Sequence, residues 1–527
     1  MDKKPFHKAV EYNSFYEMLA THKSKIPDKA AIRFFRKKED VVITYGEMIE
    51  QIAGIWIFYD KNGIKNNNIG IISENRYEYI TIYLASVFDD VIVPVDKEIT
   101  KDALRNALIK FDIKVLFYTN RTNNVVYEAV EGFDIRLINI DNEYEKMIQN
   151  KYSSDVFLQR ISTTDKNKCS VIALTSGTTG EYKGAMLSQY NILTNLRAAV
   201  ENNILKSPSL SILPMNHTYG FNPGVLNTLY NGNTLCINME LKNIVRDLKY
   251  YNPYFIGVVP MVAEGMYKNI IREAKRTKKY DLLMRMIKIS NFLRKFKIDL
   301  RHLFFGNILN KRLRVIVSGG AALNPYYVEK FDELGISLLN GYGLTECSPL
   351  VAVNRKVHNV PGSVGRIIKD DDVQIADDGE IMVKGPNVML GYYNDEEATA
   401  QCMKDGYYLT GDYGYKDGNI LYVTGRKKNL IILENGKNFS PEPVENKLME
   451  LSYVKECLIV ARKVRENSII KALIFPEEEV TEDIIKKDID DVNKLFPSYM
   501  KIDDYEIMPE EFEKTSTRKI IRSKYVK

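Results

Sequence analysis

Within ten residues, Thr175-Ser176-Gly177-Thr178-Thr179-Gly180-Glu181-Tyr182-Lys183-Gly184 carries four Ser/Thr hydroxyls, three glycines and a lysine. Glycines let successive backbone N–H groups turn toward an anion, hydroxyls add donors, and the lysine adds a mobile positive charge. The chemistry suited to that set is the cradling of a polyphosphate. The stretch is not a Walker loop: Tyr182 stands where the second glycine of that motif is required, and Gly184 follows Lys183 in place of Ser or Thr. The same composition also serves a solvated surface loop, so its reading turns on the rest of the chain.

Three further groupings extend the chemistry. Leu338 to Glu346 places Tyr342 between glycines Gly341 and Gly343, with Thr345 and Glu346 just beyond. Tyr342 could stack on a nucleobase, Thr345 donate to a phosphate, and Glu346 hold Mg²⁺, a hard cation that takes oxygen ligands and bridges phosphates. An ordinary structural turn and a helix-capping carboxylate are the alternatives. Tyr408-Leu409-Thr410-Gly411-Asp412 and Val423-Thr424-Gly425-Arg426 set an aspartate after a tight turn and an arginine after a strand. They suit the hydroxyls of a ribose or, equally, a surface ion pair. In Leu313 to Leu323, a strand runs into Gly319, Gly320, Ala321 and Ala322, small enough for a flat ring to lie against backbone or simply to turn into a helix.

These groups need a scaffold. The apolar run Val171-Ile172-Ala173-Leu174 predicts a buried strand ahead of the hydroxyl-rich loop. Upstream, Met48 to Ile57 and Tyr79 to Val87 have helical spacing. They alternate with strand-like Ile69–Ile72, Val91–Val95, Lys114–Tyr118 and Ile135–Ile140. Strands separated by helix-length segments predict an α/β body with parallel-type sheets. After Gly425-Arg426-Lys427-Lys428, about a hundred residues rich in lysine and glutamate predict a small α+β domain with strands at Cys457–Val460 and Ile470–Phe475. The expected division is 1–427 and 428–527.

At 527 residues the chain exceeds a single core, and a net charge of +5 is too small to argue for nucleic acid. Five cysteines without a C-x-x-C pair speak against a disulfide framework and a zinc site, and suit a reducing cytoplasm. No apolar run is long enough to span a bilayer, so membrane contact would be peripheral. The candidate for it is 265–311, where lysines and arginines interleave with Leu282, Ile289, Phe292 and Phe296 at helical spacing. A helix pair with a solvated basic face is the plainer alternative.

The motifs Thr175–Gly184, Asn340–Glu346, Thr410–Asp412, Gly425–Asn429 and Lys514–Ile520 occur in the order of the adenylate-forming superfamily. The chain resembles this group from about Tyr45 to Arg522, and most of all its long-chain fatty acyl-CoA synthetase branch. The resemblance implies ATP, Mg²⁺ and coenzyme A as cofactors, and a two-step reaction through an acyl-adenylate. It implies that Thr175, Ser176, Gly177, Thr178, Thr179, Gly180 and Lys183 cradle phosphates, and that Thr345 and Glu346 serve the α-phosphate and the metal. By the same resemblance, Tyr342, Gly343 and Gly320 to Ala322 enclose adenine, while Asp412 and Arg426 take the ribose.

Lys519 matches the catalytic lysine of the superfamily's C-terminal domain, with Arg518 where glycine usually precedes it. Lys428 matches the hinge, and Gly436 the loop that meets the pantetheine arm. His217, in Pro214 to Phe221, matches the segment beside the carboxylate, with Phe221, Val225 and Leu226 suited to an apolar acyl chain. Asn216 and His217 stand where amino-acid-activating relatives carry an aspartate, which disfavours an ammonium-bearing substrate. The acceptor could be coenzyme A or an acyl carrier protein. A non-catalytic acyl- or nucleotide-binding protein and a membrane scaffold are the readings from other classes.

Overall fold

The computed structural model describes residues 2, 4–149, 154–176, 182–306, 308–433, 438–464, 467–477, 480–514 and 520–526. Strand Asn68–Ile72 lies between Val91–Val95 and Ile113–Tyr118, parallel to both. Arg136–Asn139 and Cys169–Ser176 extend this sheet in parallel, and Tyr182–Ser188 and Gly391–Tyr392 close one edge antiparallel. Side chains alternate across it. Ile69, Ile71, Ile92 and Phe117 face the main core, while Ile72, Val93, Val95 and Leu116 face a second one. Helices cover both faces, as a parallel sheet requires: Tyr45–Lys61 and Tyr77–Ser86 on one, Lys101–Lys110 and Asn123–Val130 on the other. The first of these starts at Thr44, whose hydroxyl accepts from Glu47 N while the Glu47 carboxylate accepts from Thr44 N, a reciprocal cap.

The larger sheet is mixed. Ser209–Ser211, Leu235–Ile237, Phe255–Val258, Val315–Ser318 and Ser337–Gly343 run parallel. From Gly341 on, the same last strand pairs antiparallel with Leu350–Val353, and an antiparallel half follows through Gly365–Ile367, Ile420–Arg426, Tyr407–Asp417 and Glu380–Lys384. The body is therefore α/β as expected, but half of one sheet is not of parallel type. The sequence pattern did not separate that half, because its strands have no helical crossovers to mark them. Ser337–Gly343 is the seam: its first residues belong to one half, its last to the other.

Helix Gln189–Asn202 clamps the chain just beyond that seam. Buried Asn195 donates to Leu350 O (2.7 Å) and Cys347 O (3.2 Å) and accepts from Leu350 N (3.2 Å). Asn191 donates to Pro386 O (2.7 Å) and Val388 O (3.0 Å). C-terminal residues build a separate core from Val444, Leu448, Ile459, Ile474, Ile485 and Ile489 around the hairpin Val454–Val464 and Asn467–Pro476. Glu477 reaches back to Lys268 at 2.7 Å. The five cysteines are free thiols. Among the described residues, no helix is long and apolar enough to cross a membrane.

Asn195→Ala leaves Leu350 N without its side-chain acceptor and removes one of the two amide donors, the other being Asn387, from Leu350 O and Cys347 O. We expect a loss of roughly 2–4 kcal/mol in urea unfolding, and an unchanged midpoint would show that this clamp carries no load.

Candidate active site

Strands Cys169–Ser176 and Tyr182–Ser188 form a hairpin in which Thr175 lies opposite Lys183, and the Thr175 hydroxyl donates to Lys183 O at 3.4 Å. Gly184 is dictated by packing: a Cβ there would lie 2.5 Å from Ile172 and 2.6 Å from the Phe111 ring. The Lys183 ammonium sits 5.0 Å from the centre of the Tyr392 ring. In turn, the Tyr392 hydroxyl donates to Glu346 Oε1 at 2.8 Å, with the Tyr408 hydroxyl 3.4 Å away. Burial, with Glu346 alongside, pushes both phenols far above their ordinary range, so Tyr392 is a donor to the carboxylate throughout the physiological range. Gly177, Thr178, Thr179, Gly180, Gly436 and Lys519 lie outside the described residues, as does the side chain of Ser176.

Glu346 belongs to the short turn Thr345–Cys347 that ends the seam strand. Gly343 makes this turn possible, since a Cβ there would lie 1.8 Å from Pro349 O. The Thr345 hydroxyl is 3.0 Å from that of Thr218. On the antiparallel side, Tyr342 donates to Asp412 Oδ2 at 2.8 Å, and Arg426 Nε lies 3.0 Å from Asp412 Oδ1. Asp412 and Arg426 are cross-strand partners, and Gly411, at φ +69°, makes the bend before them. The ion pair open to the sequence is thus present, but its carboxylate is buried and shared with Tyr342. Burial and Arg426 lower the Lys428 ammonium below its usual range, while Asp412 and Glu346 pull the other way, so Lys428 lies within the field of both carboxylates.

Gly320, at φ +84°, and exposed Ala321 and Ala322 follow strand Val315–Ser318. The neighbouring Gly319 is backed by the Tyr219 ring, which an added Cβ would meet at 3.1 Å. Tyr219 reaches Val258 O (2.9 Å) and Val317 O (3.0 Å). His217 precedes the turn Thr218–Phe221, and its Nε2 lies 3.6 Å from Asp96 Oδ2. Asp96 follows strand Val91–Val95, at the carboxyl end of a parallel sheet where ligands gather. That placement was a legible signal, and the sequence reading passed over it. Thr218, Tyr392 and Tyr408 were also missed: Thr218 and Tyr408 stand within marked segments, but nothing local shows what any of the three meets.

Behind Tyr219 lies a half-open hollow of ≈ 280 Å³, its open mouth included, walled by Leu210, Leu213, Tyr219, Pro223, Phe255 and Val317. Gly224 and Gly257 face it with no neighbour closer than 3.8 Å to an added Cβ, and the buried Ser211 hydroxyl on its wall has no partner among the described residues. Phe221, Val225 and Leu226, expected to line the acyl site, belong instead to the main core, with the Phe221 ring 4.2 Å from that of Tyr83. The wider π-helical turn Asn222–Leu226 presents Pro223 and Gly224 to the pocket in their place.

Residues 19–393 match the family model described as AMP-binding enzyme, and residues 428–527 match that of the AMP-binding enzyme C-terminal domain. The chain belongs to the AMP-binding enzyme family. A probable acyl-activating enzyme of Arabidopsis thaliana is 28% identical over 404 residues, covering 62% of this chain and 54% of that one, about half its length. A long-chain fatty acid–CoA ligase of Mycobacterium tuberculosis is 24% identical over 85% of this chain and 80% of its own. The fold is shared with an anthranilate CoA ligase solved with anthranoyl-AMP (TM-score 0.81, 17% identity, 98% and 97% of the two chains). It is also shared with the o-succinylbenzoate coenzyme A synthetase of Bacillus subtilis solved with ATP and a magnesium ion (TM-score 0.77, 18% identity, 96% and 98%).

Among the described residues of this family member, no group of three or more His, Cys, Asp or Glu side chains could hold a metal by itself. A cation here would depend on a ligand's own oxygens, with Glu346 as the available carboxylate. Beneath Glu346, Asn387 holds Cys347 O (3.1 Å) and Leu350 O (3.0 Å) and also donates to Asp371 Oδ2 (3.1 Å). Asn387 Oδ1 and Asp371 Oδ1 are buried acceptors without a donor among the described residues, and both crowd the same face of Gly385. A proton on Asp371 would satisfy both. Burial pushes this carboxyl up to about 8.

The folded state therefore holds the Asp371 proton more tightly than the unfolded chain. The stabilisation is complete below the ordinary carboxylate range and declines as pH rises toward 8. Asp371→Asn supplies the missing N–H at every pH. Between pH 5 and 9 its stability should gain on the parent by on the order of 3 kcal/mol, from the linkage of a multi-unit shift. Parallel pH–stability curves would place the proton elsewhere.

Proposed function

We propose that the protein is an AMP-forming acid–thiol ligase. It activates a carboxylic acid with ATP to an acyl-adenylate and pyrophosphate, then transfers the acyl group to coenzyme A. The observation that carries this reading is the convergence of Lys183, Tyr392 and Glu346 with Tyr342, Asp412 and Arg426 around one turn. Cations and hydroxyls for a polyphosphate meet there with an aromatic ring and a carboxylate–arginine pair for a nucleoside.

Joining a carboxylate to an α-phosphate brings two anions together, so the site must neutralise charge and fix geometry. Lys183 and Thr175, with Ser176 and Gly177 to Gly180, take the phosphates. Thr345, braced by Thr218, donates to the α-phosphate. Tyr342 and the small-residue turn Gly320 to Ala322 receive adenine, and Asp412 and Arg426 receive the ribose hydroxyls. Mg²⁺, when bound beside Glu346, supplies neutralising charge to the phosphate oxygens. His217, oriented by Asp96, borders the carboxylate.

Lys519 bridges the two reacting anions in the first step. We propose that residues 428–527 turn about Lys428 for the second step, withdrawing Lys519 and offering the Gly436 loop to the pantetheine arm. The separate C-terminal core and the placement of Lys428 beside Asp412 support this division.

The pocket behind Tyr219 takes the acid's apolar body, with no carboxylate on its wall to pair an ammonium. We read the acid as a medium- to long-chain fatty acid, in keeping with the named activity of the Mycobacterium tuberculosis relative. An aromatic acid is the second reading, favoured by the compact volume and the lone Ser211 hydroxyl. A relative in Arabidopsis thaliana is named a long-chain fatty acid–[acyl-carrier-protein] ligase, so product analysis with both acceptors decides the thiol.

Acid-dependent ATP–pyrophosphate exchange across short, medium, long and aromatic acids tests the reading, and no exchange with any of them would leave a binding protein. Lys519→Ala should abolish exchange yet spare thioester formation from supplied acyl-adenylate; equal loss in both assays would refute the division of labour. Gly257→Leu fills open space in the pocket and should shift preference toward shorter acids, at about 0.8 kcal/mol per excluded methylene. An unaltered chain-length profile would place the acyl body elsewhere.

A further inference from the structure

Helix Tyr280–Arg294 carries two apolar faces where a surface helix has use for one. Leu283, Ile287 and Ser290 are buried against the body. On the far side Leu282 (56% exposed), Ile289 (52%), Phe292 (59%) and, just past the helix end, Phe296 (63%) stand open to solvent. From Leu282 to Phe296 this stripe is about 21 Å long at helical rise. The Phe292 and Phe296 rings pack edge to face at 5.3 Å, forming one aromatic knob.

The charges along the ridge are nearly all positive. Between residues 275 and 297 there are nine lysines and arginines and a single carboxylate, Asp281. Neighbouring acids are already engaged: Glu273 with Arg276, Asp299 with Arg301, Asp332 with Arg294 and Arg301, and Glu477 with Lys268 and Arg272. Lys278, Lys279, Arg285, Lys288, Lys295 and Lys297 are exposed, and no carboxylate pairs with them among the described residues.

We propose that this ridge is a docking surface for an anionic lipid bilayer. The apolar side chains enter the boundary of the acyl chains, and the flanking cations sit among the headgroup phosphates. Charge selects this occupant. A symmetric contact with a second copy would set the same six cations against themselves, and a neutral surface would leave them without counter-charges. The inference goes beyond the ligase reading and stands on this surface alone.

The test is co-sedimentation of the full-length protein, without ATP or acid, with vesicles of phosphatidylcholine alone and of phosphatidylcholine with phosphatidylglycerol. Binding should be confined to the anionic vesicles and fall as salt rises. Phe292→Glu with Phe296→Glu, and separately Lys288→Glu with Lys295→Glu, should each weaken it about tenfold or more. Both variants should keep the parent's ATP–pyrophosphate exchange with a water-soluble acid. If the phenylalanine variant fails to fold, the lysine variant decides. Equal binding to both vesicle types, or full binding by the variants, overturns the proposal. So does a dimer in light scattering that the phenylalanine variant dissolves, or binding to an acidic carrier protein without binding to vesicles.

Discussion

Two buried carboxylates are each held by a tyrosine hydroxyl at 2.8 Å: Glu346 by Tyr392 and Asp412 by Tyr342. Burying one anion is costly, and burying two is tolerable only if donors and cations surround them. The chain meets that condition with Lys183 over the Tyr392 ring, Arg426 on Asp412, and Lys428 in the field of both. The same cations make the place hospitable to a further, more highly charged anion. Stability and ligand chemistry therefore draw on one set of side chains.

That arrangement depends on the seam in the larger sheet. Ser337–Gly343 begins as a parallel strand beside Val315–Ser318 and ends as an antiparallel one beside Leu350–Val353. Whatever follows it must emerge where the two halves meet. The Tyr342–Glu346 turn is thereby delivered between the edge of the first sheet, carrying Lys183 and Tyr392, and the antiparallel half, carrying Asp412 and Arg426. Buried asparagines fix the exit. Asn195 and Asn387 satisfy the carbonyls of Cys347 and Leu350, so the turn cannot relax without stranding them.

Space is apportioned by glycines and one aromatic ring. Tyr219 stands between the small-residue turn at Gly319 and the pocket, so one ring borders both the surface proposed for adenine and the hollow proposed for the acid. Gly224 and Gly257 leave room that larger side chains would fill. Outside the site, the body commits its carboxylates to arginines and leaves a run of lysines along an apolar helix face, a distribution that internal packing does not require.

By itself the sequence determined the pieces. Strand and helix periods placed the parallel strands, glycine and hydroxyl content marked the loop at Thr175–Gly184, and five motifs in order pointed to the family that the matches then established. Only the tertiary structure decided the partners. Tyr392 reaches Glu346 across 46 residues and Tyr342 reaches Asp412 across 70, separations set by sheet order, which local periodicity does not encode. The position of Asp96 at a strand end was legible, but its pairing with His217, the antiparallel half, and the side of the turn after His217 that faces the pocket were hidden for the same reason. A π-helical turn also shifts the face that counting at 3.6 residues assigns, which is why Phe221 lies in the core and Pro223 on the pocket. Residue types fix what a side chain can do; the fold fixes what it meets.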